Sequence, residues 1–257
     1  MMNKNNLLVR YDKDLRLRIT YPEARKEITN DVVRILHRQP GSNVVSFTFA
    51  TERELHRVIH NELEYFRPLG RSVTWKVYEH DLLPSLKARL ISHGFTADDN
   101  PTDVMVLDLR KAYREFPGIA HADIRRIGTW DSLQEAIRVL DQVWGGDNTR
   151  VRDRLGRHLQ IPGYLSVYAA YVEDQPASIA WTYFPHGHFA KLSVGSTVVQ
   201  YRKQGLYTRL LATTIEEIHE RGYRYAVVEA NDMNRGIVRT HGFQRLTTVQ
   251  DYEWRGN

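Results

Sequence analysis

The chain has 257 residues, 42% hydrophobic and 11% aromatic, enough to bury one sizeable core or two smaller ones. It contains no cysteine, which excludes disulfides, a cysteine nucleophile and thiolate metal sites. The net charge of +5 permits acidic partners such as phosphates, but the basic residues are scattered rather than blocked, the pattern of a solvated surface.

In chain order, the start (Met1-Met2-Asn3-Lys4-Asn5-Asn6) lacks a long apolar stretch, and no apolar run approaches membrane-spanning length. The expected compartment is the cytoplasm, with no membrane partner. Residues 14–20 alternate as DLRLRIT and read as a strand, and 21–36 read as a helix with Pro22 in its first turn. After the break at Pro40-Gly41-Ser42 come a strand over 44–49 and a helix over 51–66, with Thr51 and Glu54 set as a capping box. Residues 72–78 read as a strand, 83–92 as a helix closed by His93-Gly94-Phe95, and 103–109 as a strand. The stretch 111–118, ending in Pro117-Gly118, reads as a linker, so the expected domains are 1–112 and 113–257.

The second half opens with a strand over 124–127 and a helix over 129–143, where Asp131 is the candidate cap and Gln134 lies three residues on. A helix from about 147 to 159 carries Arg150, Arg152, Arg154 and Arg157, and Ile161-Pro162-Gly163 ends it. The arginines suit an acidic acceptor, although a solvated helix face is the simpler meaning. Residues 165–172 and 177–184 form a hairpin around Glu173-Asp174-Gln175-Pro176. A strand over 191–199, a polar turn over 200–205, a helix over 206–221 and a strand over 225–230 then make a strand–helix–strand unit with a parallel pair. His186 and His188 flank Gly187 without a third ligand at metal spacing, so no metal is expected.

Two coincidences of spacing suggest a duplication. His93-Gly94-Phe95 and His241-Gly242-Phe243 lie 148 residues apart, and the strands around Trp75 and Tyr225 lie 150 apart.

The turn Arg202-Lys203-Gln204-Gly205-Leu206-Tyr207 carries the chemistry. It joins a strand to a helix N-terminus, where unpaired N–H groups and the helix dipole favour an anion. Arg202 and Lys203 add positive charge, and Gly205 allows close backbone approach. On these residues alone the turn is either a phosphate or pyrophosphate site or an ordinary basic turn. At the matching place in the first half, Phe49-Ala50-Thr51-Glu52-Arg53-Glu54 offers carboxylates that would repel a pyrophosphate.

The stretch from Ala190 to Phe243 resembles the acetyl-coenzyme A core of the GCN5-related N-acetyltransferase (GNAT) family, whose loop runs Gln/Arg-x-x-Gly-x-Gly/Ala. Arg202 and Gly205 match it, whereas Tyr207 departs at the third small position. The resemblance covers about the last half of the chain. It implies an α/β fold with a mixed, strongly twisted sheet and flanking helices, duplicated here with a degenerate first copy, as in tandem members of that family. It implies acetyl-CoA as co-substrate, and a small-molecule or peptide primary amine as acceptor. Gly195, Ser196 and Thr197 would present strand backbone to the pantetheine arm. Arg202, Lys203, Gln204, Gly205, Leu206, Tyr207 and Thr208 would hold the pyrophosphate. Asn234 would bond the pantetheine or cap a helix.

An amine with a pKa of about 10.4 must lose a proton before it attacks a thioester, so a general base is needed. Glu229, at the end of the second core strand, is the candidate, but Glu79 stands at the equivalent place in the first copy, which favours a structural role. The family's acid is commonly a tyrosine four residues before the terminal glycine, and here that residue is Val238. Tyr207 and His241 are the possible substitutes, although packing or capping is the simpler meaning of each. The reading is an acetyl-CoA-dependent N-acetyltransferase. The alternatives are a non-catalytic acyl-CoA-binding or sensing protein, and a nucleic-acid binder, for which the required basic–aromatic clusters are not found.

Overall fold

The computed structural model describes residues 3–38, 43–112 and 123–256. Helix α1 (Lys4–Tyr11) continues directly into a π-helical turn at Asp12–Leu17, so the strand expected over 14–20 is helical instead. Arg16 is the reason. It is only 1% exposed, with Nε donating to Ser46 O at 3.0 Å and Nη1 donating to Asp12 and Asp81 at 2.9 and 2.8 Å. Its guanidinium also covers the Phe47 and Tyr78 rings, 4.6 and 3.9 Å from their centroids. The alternating pattern places Arg16 on a solvent face, and these distant partners reverse that assignment.

The helix expected over 21–36 is a hairpin of β1 (Ala24–Ile28) and β2 (Val32–His37), with Ile28 opposite Val33. Thr29 Oγ1 accepts the N–H groups of Asp31 and Val32 at 3.2 and 2.9 Å, which closes the turn. Val32, Val33, Ile35 and Leu36 are all buried, so β-branched packing on both faces outweighs a helical spacing.

Next come β3 (Asn43–Thr48), α2 (Leu55–Phe66), β4 (Val73–Tyr78), α3 (Leu86–Ser92), the two-residue β5 (Thr96–Ala97), β6 (Thr102–Asp108) and α4 (Leu109–Ala112). The expected box at Thr51 and Glu54 is only half made. The Glu54 carboxylate accepts the Thr51 N–H and hydroxyl at 2.8 and 2.7 Å, and α2 starts after it. Of the expected linker, α4 takes the first residues, and 113–118 lie outside the described residues.

The chain continues with β7 (Asp123–Ile127), α5 (Trp130–Trp144), α6 (Thr149–Leu159), β8 (Leu165–Val172), β9 (Gln175–Tyr183), β10 (Phe189–Thr197), α7 (Leu206–Glu220), β11 (Tyr225–Ala230), α8 (Arg235–Thr240) and β12 (Gln244–Trp254). Asp131 is not the cap of α5. Thr129 is: its Oγ1 accepts the Ser132 N–H at 3.2 Å, while Ser132 Oγ accepts the Thr129 N–H at 3.2 Å. Strand β12 has no counterpart in the sequence reading.

Contacts divide the chain into two compact units, Met1–Met105 with Glu229–Asn257, and Val106–Val228. In the first, the strand order is β1-β2-β3-β4-β12-β6, with β5 on β12. Strand β12 lies antiparallel to β4, with Tyr252 opposite Trp75, and both side chains are buried in one core with Val58 and Phe66 of α2 and Leu90 of α3. The last strand of the second segment thus completes the core of the first, so the unit boundaries cross the segments 1–112 and 113–257.

In the second unit the order is β11-β10-β9-β8-β7, antiparallel except for the β10–β11 pair. Leu133, Ile137 and Leu140 of α5 pack on Val167, Ile179 and Trp181, and Leu206 and Leu210 of α7 pack on Ala170, Ala177 and Ala180. The Val106–Asp108 end of β6 belongs here, and Asp108 pairs with Arg224 at 2.9 Å.

Each segment holds a parallel pair bridged by a helix. Asn43–Val45 lies opposite Val73–Trp75 across α2, and Phe189–Lys191 opposite Tyr225–Val227 across α7. Helices α3 and α8 close alike. Phe95 N–H reaches Leu90 O at 3.1 Å and Phe243 N–H reaches Val238 O at 3.3 Å, around Gly94 at φ +87° and Gly242 at φ +84°. Among the described residues, no helix is long and apolar enough to cross a membrane.

Candidate coenzyme site

The site lies in the second unit, where β10 leads into α7. Pairing of β10 with β11 covers Phe189–Lys191, whereas pairing with β9 runs on to Thr197. The later part of β10 therefore borders β9 on one side and has diverged from β11 on the other. One extra residue is accommodated between Ser193 and Ser196, a bulge that turns the backbone there. The strand is fixed from beneath by Ser178, whose Oγ donates to Ser196 O at 2.9 Å and meets Thr197 Oγ1 at 2.8 Å.

After a 3₁₀ turn at Val199–Tyr201, the loop passes through two left-handed residues, Lys203 at φ +63° and Gly205 at φ +77°. Glycine adopts this at no steric cost, whereas Lys203 is a strained exception of the kind found at ligand-binding turns. Arg202 Nε donates to Thr197 O at 3.1 Å, tying the loop back to the strand, and Gln204 Nε2 donates to Gln200 O at 3.3 Å. Gly205 is the N-cap of α7, no side chain caps the helix, and its first turn holds no acidic residue. Arg202, Lys203, Gln204 and Gly205 are exposed, Leu206 is buried, and Thr208 lies in the first turn. Further along α7, the buried Nε of Arg209 has no hydrogen-bond partner among the described residues. An anion placed here would meet main-chain N–H groups, the positive end of the dipole and the Arg202 charge together.

Tyr207 and Gly195 are brought into contact. A Cβ on Gly195 would stand 2.0 Å from Cε2 and 2.3 Å from Cδ2 of the Tyr207 ring. Burial pushes the Tyr207 phenol up to about 12, so it carries its proton at neutral pH.

Glu229 and Asn234 belong to the first unit. There Glu229 Oε2 is 3.7 Å from Lys76 Nζ, and Lys76 donates to both carboxylate oxygens of Asp251 at 3.1 and 3.2 Å. Burial of Lys76 opposes its charge, and the two carboxylates with Tyr78 overcome that, raising its pKa well above the usual lysine value. Asp251 is raised, by burial first, with Lys76 acting against it and Glu229 and Asp98 adding to it. Asn234 is the N-cap residue of α8, but its side chain makes no cap there; its Oδ1 accepts the Asn231 N–H at 2.8 Å and braces the turn. Val238 is 1% exposed within the core, and His241 closes α8. The partners Lys76 and Asp251 escaped the sequence reading because β4 and β12 are 175 residues apart at that pair and no local pattern links them. Among the described residues, no group of three or more His, Asp or Glu is placed to hold a metal.

Glu52 and Glu54 fill the corresponding place in the first unit. Glu52 accepts the Ser85 N–H at 3.1 Å and the Ser85 hydroxyl, while Glu54 is held by Thr51. Neither carboxylate caps α2, but both place negative charge ahead of its first turn, where α7 has Arg202 and Lys203.

The chain has the fold of the GCN5-related N-acetyltransferases. It is similar to a GCN5-related N-acetyltransferase from Kribbella flavida, with TM-score 0.71 and 14% identity over 99% of this chain and 95% of that one. It is also similar to a tandem GNAT protein from the clavulanic acid biosynthesis pathway, with TM-score 0.65 and 15% identity over 94% and 86%. A third similar structure, a GCN5-related N-acetyltransferase from Sphaerobacter thermophilus, has TM-score 0.60 and 11% identity over 89% and 82%. No family model and no curated protein matches the sequence.

Proposed function

We propose that this chain is an acetyl-CoA-dependent N-acetyltransferase that transfers an acetyl group to a primary amine of a small molecule or peptide in the cytoplasm. The observation that carries the reading is the uncapped N-terminus of α7, preceded by Arg202 and the left-handed Gly205, at the end of a strand that has parted from its parallel neighbour. The named neighbours are acetyltransferases and one is a tandem protein, which supports the same reading.

The residues fit the coenzyme. The backbone of Gly195, Ser196 and Thr197 would hold the pantetheine arm as an added strand, and Arg202 through Thr208 would hold the pyrophosphate. Bound there, the coenzyme supplies an activated acyl thioester. The protein contributes proximity and orientation, the larger part of what such a transfer needs. Glu229, 3.7 Å from Lys76 Nζ, is proposed to take the amine proton. Tyr207, protonated and half-buried, is proposed as the proton donor to the departing thiolate. Asn234 is proposed to orient the turn before α8 rather than to touch the coenzyme.

The two segments, 1–112 and 113–257, are proposed to be copies of one ancestral domain, of which the first has lost its coenzyme site to Glu52 and Glu54. Thermal unfolding with and without acetyl-CoA tests the central reading. Saturation at about a hundred times Kd adds roughly 2.7 kcal/mol to the unit that binds, and Arg202→Glu should abolish the resulting shift in midpoint. A folded wild type whose midpoint does not move would overturn the reading.

A further inference from the structure

Tyr207 is bulky at a position where the resembled loop is small, and the chain accommodates it by placing glycine beneath the ring. The ring lies so close to Gly195 that any side chain there would collide with it, 2.0 Å being far inside van der Waals contact. Gly195 lies within the bulge between Ser193 and Ser196, on the stretch of β10 that outruns its pairing with β11. The ring, carried on the first turn of α7, thus lies against the bulged strand.

The position along the strand decides what the ring faces. An arm lying beside Gly195–Thr197 with its phosphates at the start of α7 has its phosphate end toward Thr197, where the strand enters the loop. Its acyl end then lies at the opposite limit of the same stretch, beside Gly195. A strand-like arm would run about 4.8 Å from β10, within reach of a ring that already covers Gly195. A short acyl group ends before the ring, and a longer one runs into it.

We propose that Tyr207, laid over Gly195, sets the upper limit on the length of acyl group that this site accepts, admitting acetyl and excluding chains of four carbons or more. The inference rests on the coenzyme reading above and adds a specificity-determining residue to it. Binding rather than turnover tests it, so no acceptor is needed. Calorimetric titration of the full chain with free CoA, acetyl-CoA and hexanoyl-CoA should give wild type a preference of at least about tenfold for acetyl-CoA over hexanoyl-CoA. Tyr207→Phe keeps the ring and should keep that ratio. Tyr207→Leu retains an apolar group to pack but is shorter, and should bring the ratio toward one by tightening hexanoyl-CoA binding. Tyr207→Ala should do the same, and circular dichroism checks that both variants are folded. A wild type that binds CoA but does not distinguish the two thioesters overturns the length limit alone. So does a folded Tyr207→Leu that retains the wild-type ratio. A wild type that binds neither CoA nor either thioester overturns the coenzyme reading, and this inference with it.

Discussion

Gly195 and Tyr207 illustrate how one residue dictates another. Gly195→Ala puts a methyl group into the Tyr207 ring, and overpacking of this kind costs about 1–3 kcal/mol. If the contact is the cause, the same substitution in a Tyr207→Ala background should cost almost nothing, and urea denaturation of the four proteins yields that coupling directly. Arg16 is a second such residue. Arg16→Met would leave Asp12 and Asp81 facing each other without their cation, a loss of about 3–5 kcal/mol by the same measurement. Asp12 carries the pH dependence of this network. Burial alone would raise its pKa, but the His80 hydrogen bond and the Arg16 charge outweigh it and hold the carboxyl below its usual value. A depressed acid binds its proton more weakly in the folded state, so its contribution is present above the ordinary carboxylate pKa of about 3.9 and is lost as pH falls through the lowered value. Asp12→Asn should therefore be less stable than wild type at pH 7, with the gap closing at acid pH.

At the scale of elements, the helix starts differ in their caps and in the charge placed before them. Helix α5 satisfies its own N-terminus through Thr129 and Ser132, so Thr129→Ala should cost about 1 kcal/mol while Asp131→Ala changes little. Both are readable from thermal unfolding. Helices α2 and α7 both lack a side-chain cap and an acidic residue in the first turn, but Glu52 and Glu54 precede α2 whereas Arg202 and Lys203 precede α7. The basic residues before α7 make its start the one of the two that attracts an anion.

At the scale of the molecule, the acidic residues before α2 and the basic ones before α7 predict one coenzyme per chain rather than two, measured as calorimetric stoichiometry. The placement of β12 predicts the behaviour of fragments. Residues 1–112 alone lack the strand that covers β4 and the Tyr252 side chain that fills its core. That fragment should fail to give a cooperative unfolding transition, although it spans the whole of the proposed first copy. Cooperative folding of the fragment would show that β12 is dispensable to the core.

The sequence alone determined the elements whose signal is local. The hairpin of β8 and β9, the strands β4 and β11, the helices α3 and α7 and the Arg202–Gly205 turn were legible because turn residues, capping glycines and apolar spacing act within a few residues of one another. The parallel pair around the turn followed from element order. Tertiary structure alone decided the rest. Arg16 is buried because carboxylates and rings from distant strands surround it, so residues 12–17 wind as a helix despite an alternating pattern. Residues 24–37 became a hairpin because both faces of β2 found cover. Asp251 and Lys76 reached Glu229 only through the pairing of β12 with β4. Local patterns report which face of a segment is apolar, but not which partner will bury a charge, since that partner can lie anywhere in the chain.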